Sequence, residues 1–283
     1  MIDLSDVVLD TYDLEPLPAS VIKLLNLLST DDWSLDSVVS TASLDAALTA
    51  RIMRVANSAA SSAATPVNTL HESTMRLGAT TVVKLAIAFA VRRHMTAGDE
   101  VSSTADSEQS LWRLSVATAL AADLIKERTS VPISQEAFTV ALLSDIGRII
   151  LAQHLDVRIN EFVSRAVVEG RQSPLEAERE ILGVDHAELG ALIAEHWQLP
   201  AQISESIRFH HTPSNAMDEE VETLCDAVTV ADAVARRICH DEAVTRVFDC
   251  SESCARPGLE EDDFEALCEQ AAERLEAALA SYE

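Results

Sequence analysis

Residues 173–211 read SPLEAEREILGVDHAELGALIAEHWQLPAQISESIRFHH. Three helices are legible in this stretch. Ser173 is a capping residue, Pro174 occupies the first helical position, where its missing N–H costs nothing, and Glu176 can reach back to the cap. Gly183 ends that helix. Asp185-His186-Ala187-Glu188 forms a second capping box, and Pro200 opens another helix after Leu199. His210 and His211 close it, where the helix dipole favours positive charge.

The same 3.6-residue rhythm extends in both directions. Val21, Leu24, Leu25 and Leu28 form one apolar stripe. Leu44, Ala47, Leu48, Ile52 and Val55 form another, with Ser43 as its expected N-cap and Asp45 in its first turn. Gly78 stops a helix around Met75, and Thr80 is placed to cap the next, Thr81 to about Met95. Phe264, Leu267, Ala271, Leu275 and Leu279 predict a final amphipathic helix in a stretch that is otherwise strongly acidic. No Val/Ile/Thr alternation bounded by turn residues occurs, so no strand is predicted. The fold class is all-α: a multi-helix bundle of roughly a dozen helices with short connections. The polar break TAGDEVSSTADS, Thr96 to Ser107, divides it. The expected organisation is 14–95 as one helical subdomain, 107–212 as a second, and 213–283 as an acidic helical extension completing the second.

Composition narrows the function classes. The 283 residues are 48% hydrophobic and 24% charged, with only 7 Gly and 8 Pro, too few for a many-turned sandwich or barrel. The formal charge of −26 repels phosphate backbones and anionic lipid surfaces, so neither nucleic acid nor membrane is expected as a partner. No segment reaches the roughly 18 apolar residues of a membrane span, and MIDLSDVVLD is no basic secretory start; a cytoplasmic location is expected. Cys225, Cys239, Cys250, Cys254 and Cys268 are odd in number and lack zinc-site spacing, which argues against a disulfide framework or a zinc knuckle. P-loop, dinucleotide-binding and nucleophile-elbow motifs are absent. MRLGATTVVKLAIA mimics a helix-turn-helix, but its second helix is too apolar to read DNA and is expected to be buried.

The order of segments is specific. LEPLPASVIKLLNLLS, SLDSVVSTASLDAALTARIMRVANSA and LHESTMRLGATTVVKLAIAFAV are followed by LWRLSVATALAADLI, ALLSDIGRIILA, DHAELGALIAEHWQLPAQISESIRFHH and VTVADAVAR. This succession resembles the HDOD family, HD-related output domains of bacterial signalling proteins, over Leu14 to His211 and more thinly over Asp226 to Arg236. The resemblance implies an all-helical fold related to HD-type metal phosphohydrolases, with an additional helical N-terminal half and a regulatory role. The hydrolases hold divalent metals on His and carboxylate ligands, which activate water and clamp a phosphate. The resemblance places Leu114 and Ser144 where ligand histidines are expected. Asp145 and Asp232 stand where the hydrolases carry aspartates, and His186, His210 and His211 look similar to later histidines of the HD-GYP branch. The GYP signature is absent. Arg148 stands where relatives often carry a basic residue.

The expectation is therefore a catalytically silent bacterial signal-transduction module that works through protein–protein contacts, with no cofactor, no metal and no catalytic residues. Asp145, Arg148, His186, His210, His211 and Asp232 line its relic pocket. Two alternatives stand beside it. One is a metal-dependent phosphodiesterase on Asp145, His186, His210, His211 and Asp232. The other is a binder of a small anionic, nucleotide-like ligand with Arg148 as charge partner.

Overall fold

A computed structural model describes residues 15–28, 33–58, 65–95, 105–154, 173–239 and 251–282. Every regular element among them is helical, and no strand forms. In chain order these are α1 (Ala19–Leu28), α2 (Leu35–Ala42), α3 (Ala46–Ala56), α4 (Leu70–Leu77), α5 (Ala79–Met95), α6 (Ala105–Arg128), α7 (Ala137–Leu143), α8 (Ile146–His154), α9 (Pro174–Leu182), α10 (His186–His196), α11 (Ala201–Phe209), α12 (Glu219–Ile238), α13 (Ser251–Ala255) and α14 (Glu261–Tyr282), with a single 3-10 turn, Pro213–Asn215, before α12. No single helix among the described residues is long and apolar enough to cross a membrane. The chain divides into two units, one of Pro16–Thr96 with Ala277–Glu283, the other containing Ala97–Glu276.

The smaller unit is built on α1–α5 around Leu24, Val38, Ile52, Val82 and Ile87. Asp45, rather than Ser43, caps α3: its carboxylate accepts from the Leu48 N–H at 3.0 Å. Ser43 ends α2 instead and turns its hydroxyl back onto the Ser40 carbonyl at 2.8 Å. Both residues are good cappers two positions apart, and the one whose oxygen reaches the orphan N–H prevails. Gly78, at φ +86°, breaks α4 from α5, and the two helices meet at 104°. The next helix resumes at once at Ala79, with the Gly78 carbonyl taking the Val82 N–H, so Thr80 is not its cap. Leu85 through Val91 are all buried, which makes α5 a core helix of this unit.

In the larger unit the most extensive helix contact among the described residues is α12 against α6. Both helices bury several alanines (Ala117, Ala121, Ala122; Ala227, Ala231, Ala235), small side chains of the kind that permit close helix packing. Short α7 is buried along its whole length. Ser173 and Glu176 form the reciprocal capping box of α9. Asp185 caps α10 by accepting from the Glu188 N–H at 2.8 Å. Only that half of the second expected box forms; the Glu188 side chain pairs with Arg208. Within α14, Leu267, Ala271 and Leu275 are buried. Cys225, Cys239, Cys254 and Cys268 form no disulfide among the described residues, and Cys250 lies outside them.

Two backbone constraints fix the start and the end of α10. Helices α8 and α10 cross at Gly147 and Gly190. A Cβ on Gly147 would fall inside the envelope of the His186 carbonyl oxygen and 2.9 Å from the Gly190 nitrogen. Helix α10 then ends in a Schellman motif, with the Leu199 N–H on the Ala194 carbonyl at 3.0 Å and the Gln198 N–H on that of Glu195 at 2.9 Å. Gln198 occupies the left-handed position, φ +58°, where glycine is usual.

Opposite responses are expected at these two sites in urea unfolding. Gln198→Gly should raise stability by about 1 kcal/mol, because the left-handed conformation strains any side chain with a Cβ. Gly147→Ala should lower it by about 3 kcal/mol, because the clash is with backbone that no rotamer change relieves.

Candidate functional site

The site begins with a carboxylate that the fold forces inside. Asp145 joins α7 to α8, and because α7 is wholly buried its successor emerges in the core, 4% exposed. A carboxylate there must be compensated. Arg148, one turn on, places a guanidinium nitrogen 3.8 Å from Oδ1, and Arg236 of α12 places one 3.5 Å from Oδ2. Burial alone would raise the Asp145 carboxyl. Arg148 and then Arg236 overcome that and hold it well below the usual carboxylate range. Arg236 is itself 1% exposed and is gripped by Asp232, one helical turn earlier, at 2.7 Å.

His186 is the first residue of α10. Its backbone N–H and its Nδ1 both face Glu178 Oε2, at 2.8 and 2.6 Å. Glu178 lies on the inner face of α9 and also meets Arg148, at 3.7 Å. Burial works against its ionisation, but His186 and Arg148 prevail and its carboxyl is lowered. With Nδ1 turned to Glu178, His186 Nε2 lies 3.4 Å from Asp145 Oδ1 and 3.0 Å from His211 Nε2.

His210 and His211 follow α11. His210 Nδ1 donates to the Ile207 carbonyl at 2.6 Å, while the His210 carbonyl accepts from the Thr229 hydroxyl at 2.5 Å. These bonds fix the tilt of the ring, whose centroid stands 3.9 Å from that of His211 and 5.6 Å from that of His186. Burial, reinforced by His186, lowers the His210 imidazole, and burial with His210 lowers His211 further, so both rings favour the neutral form. Neutral imidazole is the form that ligates metals.

Four of the six residues singled out in the sequence thus converge: ligand atoms of Asp145, His186, His210 and His211 lie within 4.8 Å of one another. Among the described residues Asp145 Oδ1 receives no hydrogen bond. The other two flank this cluster. Asp232 is engaged by Arg236, and Arg148 is turned onto Asp145 and Glu178. Leu114 is buried and offers no donor, and the Ser144 hydroxyl is spent on the Ala141 carbonyl at 3.0 Å.

Glu178 and Arg236 were not singled out in the sequence. Each carried a signal: Leu175, Glu178 and Leu182 share one face of α9, and Cys225, Val228, Asp232 and Arg236 follow the buried spacing of α12. Glu178→Ala should cost about 3 to 5 kcal/mol in urea unfolding, since it strands the His186 Nδ1–H and part of Arg148 in the core. Glu178→Gln, which keeps an acceptor, should cost less.

The family model of the HDOD domain matches residues 14–213. An uncharacterized protein of Treponema pallidum (strain Nichols) is 25% identical over 228 residues, 79% of this chain; the chain spans only 42% of that curated relative's length. Among solved structures, a candidate phosphohydrolase of Shewanella amazonensis SB2B is 27% identical, with a TM-score of 0.69 over 98% of this chain and 97% of its own. An HDOD domain protein with unknown function from Geobacter sulfurreducens has a TM-score of 0.70 at 21% identity, covering 98% of this chain and 96% of its own, a likeness of fold alone.

Proposed function

This chain belongs to the HDOD family, and from that premise we propose that it is a non-hydrolytic regulatory domain of bacterial signal transduction, acting through protein–protein contacts. The observation that carries the reading is Arg236. Two-metal phosphoester hydrolysis needs carboxylates free to hold a pair of cations about 3.5–4 Å apart. Here a guanidinium lies between the two aspartates that such a pair would use, 2.7 Å from Asp232 and 3.5 Å from Asp145. It stays charged at any physiological pH and repels a second divalent ion. Leu114 and the committed hydroxyl of Ser144 supply no replacement ligand. The likeness to the Shewanella phosphohydrolase candidate fits descent from an HD-type ancestor.

Partner contact is supported by charge. At −26, the chain attracts cationic protein surfaces over long range, an attraction screened beyond about 10 Å at 0.1 M salt. A small anionic ligand is disfavoured at Arg148, whose charge is already met by two buried carboxylates.

Hydrolysis of bis(4-nitrophenyl) phosphate and of cyclic dinucleotides, measured with manganese, zinc or iron(II) added, should not exceed the buffer rate. Leu114→His or Ser144→His alone should change nothing, because the ligands act as a unit; gain of activity should need both together with removal of the Arg236 charge. Steady turnover by the unaltered chain that disappears in Asp145→Ala would overturn the proposal.

A further inference from the structure

We propose that α9 is a hinged cover over the buried network of the larger unit, latched by Glu178 and able to lift at Gly183 while α10 and α12 stay folded. The inference concerns the fold itself and stands whether or not the regulatory reading does.

Self-sufficiency is the first support. At the start of α9 the Ser173 N–H donates to Glu176 Oε2 at 2.9 Å, and the Glu176 N–H donates to Ser173 Oγ at 3.3 Å. At its end the Gly183 N–H closes on the Arg179 carbonyl at 2.9 Å. These end bonds are made by the helix and its own caps, so they do not depend on the elements beneath it. Gly183 is exposed and left-handed, φ +81°. A residue without a Cβ moves readily through that region, which is what a hinge requires.

The second is a narrow attachment. The apolar side chains that α9 buries are Leu175, Ala177 and Leu182, while Ile181 on the same helix is exposed. Its hold on the network is one side chain. Glu178 Oε2 accepts the His186 N–H at 2.8 Å and faces His186 Nδ1 at 2.6 Å, and Oε1 lies 3.7 Å from Arg148. A further clasp, Arg179 on Asp185 Oδ2 at 2.5 Å, spans the hinge itself, and Arg179 is largely exposed. Helix α12, by contrast, is buried from Val221 to Arg236 along one whole face.

The third is that lifting α9 leaves its partners provided for. Arg148 keeps Asp145 at 3.8 Å, and His186 Nε2 keeps Asp145 at 3.4 Å and His211 at 3.0 Å. Glu178 and the His186 Nδ1 edge pass into water together, so neither is stranded in an apolar core. Separating α12 instead would take Arg236 and Asp232 from Asp145 and expose the main packing of the unit. The cover is also selective. Lifting it uncovers His186, whereas His210 remains pinned beneath α11 and α12 by the Ile207 carbonyl and the Thr229 hydroxyl.

The test is native-state hydrogen exchange of the whole 283-residue chain in rising, sub-denaturing urea. A helix of 9 residues is marginal by itself in water, so a lifted α9 exposes its amides to exchange. Amides of residues 177–182 should exchange as one group, about tenfold or more faster than those of α12. Glu178→Gln keeps an acceptor but removes the charge that Arg148 meets. It should speed α9 exchange by about tenfold and leave α12 unchanged. Diethyl pyrocarbonate, which acylates neutral imidazole, should then modify His186 faster by a similar factor and leave His210 unmodified. Exchange of α9 only through global unfolding would overturn the proposal. So would a folded Glu178→Gln chain that speeds α9 and α12 alike, modifies His186 and His210 equally, or alters neither α9 exchange nor His186. Exchange in the unaltered chain decides the matter even if the variant does not fold. Failure here would leave the regulatory reading intact, since that reading rests on Arg236.

Discussion

A guanidinium with 1% of its surface in contact with water organises the larger unit. Arg236 is always charged, so its burial carries a desolvation cost that cannot be relieved by losing a proton. It is tolerable only because Asp232 and Asp145 meet it, one from its own helix and one from a residue 91 positions away in the chain. That demand ties α12 to the α7–α8 junction. It chains onward: Asp145 is also faced by Arg148 and His186, and both of those are met by Glu178 of α9. Five elements are thus held in register by one buried network, in which removal of any carboxylate leaves a charge or a donor stranded.

The network is polar, but the packing that makes room for it is not. Helices α8 and α10 come together at Gly147 and Gly190, where there is no side chain to hold them apart. That approach carries the first turn of α10, and with it His186, toward Asp145. A separation greater by one methyl group would lengthen the 3.4 Å spacing between the His186 imidazole and the Asp145 carboxylate. Small residues in the backbone crossing and large charges beside it are two aspects of the same geometry.

The all-α class and many helix limits were legible because they depend on local chemistry. Ser173 with Glu176, Gly183 and Pro200 act within one turn of where they stand. Cap choice was less so, since Ser43 and Asp45 are equally plausible by type and only the path of the chain decides which oxygen meets the Leu48 N–H. In the site, histidines and aspartates drew notice because their types are rare and reactive. Glu178 and Arg236 did not, being common residue types whose role comes from burial, and burial here arises from contacts between segments far apart in sequence. The apolar company they keep on α9 and α12 was the trace they left.

That distribution bears on how this fold could serve the proposed regulatory role. A two-metal hydrolase needs carboxylates free to hold both cations; here the Arg236 guanidinium engages Asp232 and Asp145. The cluster of Asp145, His186, His210 and His211 joins three separate helix ends: the start of α8, the start of α10 and the end of α11. The same geometry therefore couples the positions of α10 and α11 to the α7–α8 junction, through the His186 contacts to His211 and to Asp145.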